Sequence, residues 1–393
     1  PTRKDEDWKS TDLRALEQRA FVVAAADADR AVAAAAPHRL AEAAVITVSN
    51  GLVVAADPLP DGVRLRGLAE ATPDGEAGAF ARSVSASGRG HHALTDLNTA
   101  LHPDALLLDV APGAEVERPV QIVHVASAAG DAPHAAFPRI VVTAGERSRA
   151  TLVETWVGAD DAAETFVDAV VDARVEAAAR LDHVVLADEA ARAVLVGVHR
   201  AVVARDATYS SNVLTFGGAR VRNGLYVTLV EPGAHADLLG LYDLEGEQHA
   251  DNHTVIDHAV AHTTSRERYK GVLDGRSRGA FFGRIVVRPD AQQISSDQEN
   301  NNLLLSDDAL ANSTPQLEIH ADDVKCRHGS TVGQIEGDAL YYLRTRGIPL
   351  ATARELLTYA FANEIVDAVP VAELRDRLAR RLTTVPDAAP PTA

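Results

Sequence analysis

Apolar and polar positions fall into three regimes along the chain. The first forty residues read as helical. Asp12 is placed to cap a helix running through Leu13, Leu16 and Phe21, and the alanine-rich run Ala24 to Ala36 has high helix propensity until Pro37 ends it. From about Ala43 to Ile335 the pattern changes to short β-branched runs with polar alternation. These include Val45–Val48, Leu52–Ala55, Val120–Val125, Ile140–Val142, Leu152–Trp156, Val184–Leu186, Val213–Phe216, Leu225–Val230 and Phe281–Val287. Gly, Asp, Asn and Pro punctuate them, Gly217-Gly218 and Gly271–Gly279 read as turns, and almost no amphipathic helix is visible in the span. After Ile335 the period returns to that of a helix. Asp338 to Thr345 reads as a short helix stopped by Gly347, and Pro349 opens a second with Ala353, Leu356, Leu357, Ala360, Phe361 and Ile365 on one face. Pro370 starts a third, with Val371, Leu374, Leu378 and Leu382 inward. The expected plan is a helical region at 1–42, a β body at 43–335, a helical module at 336–382 and a disordered tail at 383–393.

Nearly three hundred residues of short strands exceed an ordinary sandwich or barrel. Turn-like segments near Glu146, Glu176, Ala204 and Pro232 recur at intervals of 30, 28 and 28 residues, and the next, at Asp274, follows after 42. That repeat favours stacked β-coils, a solenoid. The run Glu299-Asn300-Asn301-Asn302 suits such a stack, where amides ladder between coils.

Composition removes several functions. Acidic residues number 56 against 38 basic ones, for a net charge of −18, which disfavours nucleic acid and anionic lipid as partners. One cysteine, Cys326, forbids an internal disulfide and a self-contained four-cysteine zinc or iron–sulfur site. The charged start, Pro1 to Trp8, shows no targeting segment, and the most apolar stretch, Ala193 to Val203, is cut by His199 and Arg200. A cytoplasmic protein is expected. No P-loop, GxGxxG fingerprint or GxSxG elbow occurs. The acid doublets Asp307-Asp308 and Asp322-Asp323 point to opposite faces of a strand and make no dyad.

Two segments carry candidate chemistry. In Lys325-Cys326-Arg327-His328-Gly329 a strand places Cys326 and His328 on one face, a thiolate–imidazole half-site for a soft or borderline metal. Lys325 and Arg327 beside it are expected to lower the thiol pKa. In Asp251 to His262 a helix would put His258 and His262 on one face like zinc ligands, but Ala259 stands where a zincin has glutamate. A strand would make them polar rung residues, the preferred reading. His91, His92 and His320 read as surface or supporting groups.

Thr263-Thr264-Ser265, Tyr269 to Leu273, Asn302 to Ser306, Leu317 to Gly329 and Tyr341 to Ile348 together resemble the SufB/SufD family of iron–sulfur cluster assembly proteins. The resemblance is dense from Asn252 to Phe361 and weaker upstream, where Glu6 to Lys9 and Asp96-Leu97-Asn98 resemble N-terminal pieces. Gly329 after His328 and the lack of further cysteines resemble the SufD branch. Ala261, Arg266-Glu267 and Arg327 depart from the usual pattern. The resemblance implies a right-handed parallel β-helix with N-terminal and C-terminal helical parts. It implies a non-enzymatic scaffold that pairs with SufB and docks the SufC ATPase through its C-terminal helices. Cys326 and His328 match the cluster-site positions, so the cargo is a nascent Fe–S cluster or iron shared with the partner, with reduced flavin (FADH2) in the complex. A homodimeric metal-binding solenoid and a β-helix carbohydrate enzyme are the alternatives.

Overall fold

In the computed structural model, residues 5–68, 90–128 and 132–383 are described. The tail expected from Thr383 lies, after that residue, outside them. Strands β1 (Val22–Val23), β2 (Ala44–Ser49), β3 (Leu52–Ala56), β4 (Val63–Gly67), β5 (Ala105–Val110), β6 (Val120–Ala126), β7 (His134–Ala136) and β8 (Arg139–Ala144) form the first part of the body. Longer strands follow: β9 (Arg149–Gly158), β10 (Thr165–Val175), β11 (Arg180–Asp188), β12 (Val194–Val203), β13 (Thr208–Thr215), β14 (Arg220–Leu229) and β15 (His235–Leu244). The last are β16 (His249–His258), β17 (Thr264–Leu273), β18 (Arg278–Val287), β19 (Ile294–Leu304), β20 (Leu310–Ile319) and β21 (Val324–Gly333).

Even-numbered strands from β8 to β20 lie in one sheet and odd-numbered strands from β9 to β21 in the other, each parallel to its neighbours. The chain alternates between the sheets, which makes a parallel β-solenoid of about 8 turns. Because pairing is parallel and in register, residues one coil apart stack in columns. Alternate residues then face the lumen, where the main core runs from Ile46 and Leu106 to Phe281 and Ala309.

The repeat has a visible cause at one corner of each coil. Arg147, Ala178, Asp206, Gly233, His262 and Gln293 all take positive φ there. Four of them donate their N–H to the carbonyl of the residue before their counterpart in the next coil (Arg147 to Ala177, Ala178 to Arg205, Asp206 to Pro232 and His262 to Gln292), while Gly233 donates to the carbonyl of His262 itself and Gln293 to that of Asp323. The 42-residue interval seen in the sequence is thereby explained. Asp274 belongs to a different corner, with Gly275 (φ +63), while the true members after Gly233 are His262 and Gln293. Gly271 and Gly279 are strand residues, not turn residues: a Cβ on Gly271 would meet the Tyr242 ring at 2.2 Å, so the glycine makes room for a luminal tyrosine.

The two ends of the solenoid differ. At the N-terminal end β2 pairs with β3 and β4 with β5 in antiparallel fashion, so the stack is closed by added strands. At the other end β20 and β21 each pair on one side only among the described residues. Pro315 sits in β20, a position that an edge strand tolerates.

Helices are more broken than the sequence suggests. The chain forms α1 (Arg14–Glu17) and α2 (Ala28–Ala35), separated by β1, and also α3 (Ala93–Leu101) inside the β span. Asp12 accepts from the Arg14 N–H at the start of α1, and Asp27 caps the alanine helix by accepting from Arg30 N–H. Three helices follow β21: α4 (Gly337–Thr345), α5 (Leu350–Asp367) and α6 (Ala372–Leu382). Val371, Leu374, Leu378 and Leu382 are buried as expected. On α5 the buried stripe is Ala353, Ala362, Ile365 and Val366, while Leu356 and Ala360 are exposed. The module folds back on the outer face of the odd-numbered sheet and on α2, so contacts with Val153, Val184, Leu239 and Ala31 select that stripe. Lys270 Nζ fixes α5 through the Phe361 carbonyl (2.9 Å) and Glu364 (2.7 Å). On the opposite face Trp8 is buried beneath the Arg222 guanidinium (4.0 Å), which also pairs with Asp251. His92, expected near the surface, lies edge-on to Trp8 at 5.1 Å, and burial pushes its pKa down to about 4.

Candidate functional site

Cys326 and His328 sit on β21, the last strand of the stack, and stand in register with Ser296 and Gln298 of β19. Ser296, Gln298, Asn300 and Asn302 are the buried, inward-facing residues of β19. The pair therefore continues two luminal columns at the point where the next coil is missing. Cys326 is half-buried against the Ile285, Val287 and Ile294 cluster, and His328 is exposed.

The expected tuning by Lys325 and Arg327 does not hold. Alternation turns both to the outer face, and Arg327 forms a bidentate pair with Asp297 at 2.7 and 2.8 Å. Burial pushes the Cys326 thiol up. The thiol is thus protonated at neutral pH.

Below the pair the lumen is polar, which the sequence reading did not anticipate. Ser296 Oγ and Ser265 Oγ are 2.7 Å apart, and Ser265 Oγ is 3.0 Å from His258 Nε2. His258 Nδ1 is 2.7 Å from Thr263 Oγ1, and burial pushes this imidazole down to about 4, so it stays neutral. In the neighbouring column Gln298 Nε2 donates to Glu267 Oε2 at 2.6 Å. Burial pushes the Glu267 carboxyl up to about 7. The signal was present in the alternation Ser265-x-Glu267 and Ser296-x-Gln298, but nothing local says which face is the interior.

His258 and His262 do not come together: His258 ends β16 and His262 occupies a corner. The preferred reading as structural polar residues fits His258. The asparagines do not form an amide ladder either. Asn300 donates to the Tyr242 hydroxyl (3.1 Å) and the Tyr269 carbonyl (3.2 Å), and Asn302 donates to Asn300 (2.8 Å). The register places Tyr269 and Gly271, not amides, opposite them.

One thiol and one imidazole on the inner face of a terminal coil complete no coordination sphere alone. Fold and site define a β-solenoid scaffold whose candidate metal ligands lie at an open end. Residues 124–361 match the family described as SUF system FeS cluster assembly, SufBD core domain, and residues 1–122 match the SufBD protein N-terminal region. The iron–sulfur cluster assembly protein SufD of Escherichia coli (strain K12) is 29% identical over 389 residues, spanning 97% of this chain and 88% of that protein. A SufBD family protein of Synechocystis is 27% identical over 391 residues, spanning 96% and 86%. One of Mycobacterium tuberculosis is 33% identical over 282 residues, spanning 70% and 69%. The chain belongs to the SufB/SufD family of iron–sulfur cluster assembly proteins and is SufD-like. No helix among the described residues is long and apolar enough to cross a membrane.

Proposed function

We propose that the chain is the non-enzymatic, cytoplasmic scaffold subunit of the SUF complex, which pairs end to end with SufB and docks the ATPase SufC. The observation that carries this reading is the position of Cys326 and His328 on the inward face of β21, where the coil stack ends in edges that are unpaired among the described residues. An open strand edge recruits a further strand through backbone hydrogen bonds. A SufB coil added there would bring its own ligands beside Cys326 and His328. The nascent cluster or iron is the cargo, shared between two chains.

The helical module supplies the second contact. Tyr341 and Tyr342 of α4 are 70% and 58% exposed, and Leu350 and Leu356 of α5 are exposed nearby in sequence. Such apolar exposure suits a docking face for SufC. ATP-driven movement of SufC would reach the cluster site as a rigid-body shift, because α5 is tied to β17 through Lys270. Reduced flavin belongs to the assembled complex in this reading.

The test is co-purification with SufB and SufC, then anaerobic loading with iron and sulfide. Cys326→Ala and His328→Ala complexes are expected to assemble with normal subunit stoichiometry and to lose cluster absorbance. Equal cluster yield in both variants refutes the ligand assignment. A stable homodimer that excludes SufB would instead favour self-pairing through the same edge.

A further inference from the structure

We propose that Glu154, His183 and His199 form a second, internal site for one divalent first-row transition ion, Fe2+ or Zn2+. The three residues come from β9, β11 and β12, and all point into the lumen. Their ligand atoms lie within 4.8 Å of one another. His183 Nε2 is 2.6 Å and His199 Nε2 is 3.8 Å from Glu154 Oε1. Metal–nitrogen and metal–oxygen bonds of about 2.0–2.1 Å in tetrahedral geometry set ligand atoms roughly 3.3 Å apart. The observed separations bracket that value, so small side-chain shifts suffice.

Unmet hydrogen bonding is the independent observation. His199 Nε2 is buried with no hydrogen-bond partner, and neither ring nitrogen of His124 has one. His124 stacks on Trp156 at 3.7 Å and brings Nε2 to 3.3 Å from Glu154 Oε2 without hydrogen-bond geometry. Orphaned polar atoms in a core are costly. One ion would satisfy His199 and the carboxylate together and leave His124 or a water as fourth ligand. His183 Nδ1 lies 2.9 Å from the Tyr209 hydroxyl, the outer contact that orients a ligating imidazole.

Donor chemistry selects the ion class. Two imidazoles and one carboxylate suit Zn2+ or Fe2+, whereas Ca2+ and Mg2+ require oxygen.

This centre is separate from Cys326 and His328. The column from His328 runs through Gln298, Glu267, Leu238 and Ser211 to His183. Five strand spacings of about 4.8 Å put the two sites roughly 24 Å apart. Leu238 interrupts the polar residues between them.

The test uses the full chain carrying Cys326→Ala and His328→Ala, so that the end site is removed. The protein is stripped with chelator, equilibrated with Zn2+ or, anaerobically, Fe2+, passed over a weak chelating resin and analysed for metal. One equivalent per chain is expected, with a rise in Tm, and Co2+ is expected to give the visible bands of a four-coordinate ion. Adding Glu154→Gln or His199→Gln should abolish retention and the Tm rise. His199→Gln is the safer variant, because its Nε2 has no partner to lose, and far-UV circular dichroism verifies its fold. Absence of retained metal in the end-site variant overturns the proposal. So does undiminished retention in folded His199→Gln.

Discussion

Replacing Glu267 by Gln removes a proton-binding group from the column beneath His328 with almost no change of shape. Glu267 is fully buried, Oε2 accepts from Gln298, and Oε1 has no hydrogen-bond partner. Burial raises its pKa from 4.5 to about 7. In the unfolded chain the proton leaves near 4.5, whereas in the fold it stays until about 7. Between those values the folded state binds more protons, so stability falls as pH rises. The contribution is complete below pH 4.5, declines through 7 and is flat above. A displacement of about 2.5 pH units corresponds to roughly 3 kcal/mol, most of which, about 2–3 kcal/mol, falls between pH 5 and pH 8. Urea denaturation of wild type and Glu267→Gln at those two pH values measures it. The variant should lose about 2–3 kcal/mol less than wild type on going to pH 8. Other buried acids, such as Glu189 with a pKa pushed up to about 8 by burial, contribute to both proteins and cancel in the difference. Equal pH dependence in the two proteins would refute the reasoning, since Glu267 would then already be ionised in the fold at pH 5.

Four further perturbations test how the scaffold is held. Ala178→Gly, at a corner with φ +57, should raise stability by about 0.5–1 kcal/mol, because relief of a left-handed alanine exceeds the entropy that glycine adds to the unfolded chain. Gly233→Ala, at an equivalent corner, should lower Tm, since its Cβ would meet Asp206 Oδ1 at 1.9 Å. Leu378→Ala should cost about 2–5 kcal/mol of local stability and expose α5 and α6 to limited proteolysis while strand circular dichroism persists. Arg222→Ala leaves Asp251 buried without its cation and Trp8 without its guanidinium. A loss of about 3–5 kcal/mol is expected, with the N-terminal segment becoming accessible to protease.

Local chemistry wrote much of this fold into the chain. Turn residues at Glu146, Glu176, Ala204 and Pro232 mark true coil corners, because each coil must reverse direction after a strand of similar length. Strand alternation put Cys326 and His328 on one face, and the helical period put Leu374, Leu378 and Leu382 on one buried stripe. Periodicity failed where two surfaces competed. On α5 both Leu356 and Ile365 are apolar, and only docking against the odd-numbered sheet decides that Ile365 is buried and Leu356 exposed.

The sequence by itself determined the coil length, the strand faces and the single thiol–imidazole pair, since these depend on residues within one or two turns of each other. Tertiary structure alone decided which face is the lumen and that β21 is the open end. It also decided that Glu154, His183 and His199 meet, although His183 lies 29 residues beyond Glu154, whereas the turning of Lys325 and Arg327 away from Cys326 follows from strand alternation alone. The physical reason is the parallel stack: backbone hydrogen bonds fix the register between coils. Side chains a full coil apart become neighbours, and no local pattern records that neighbourhood.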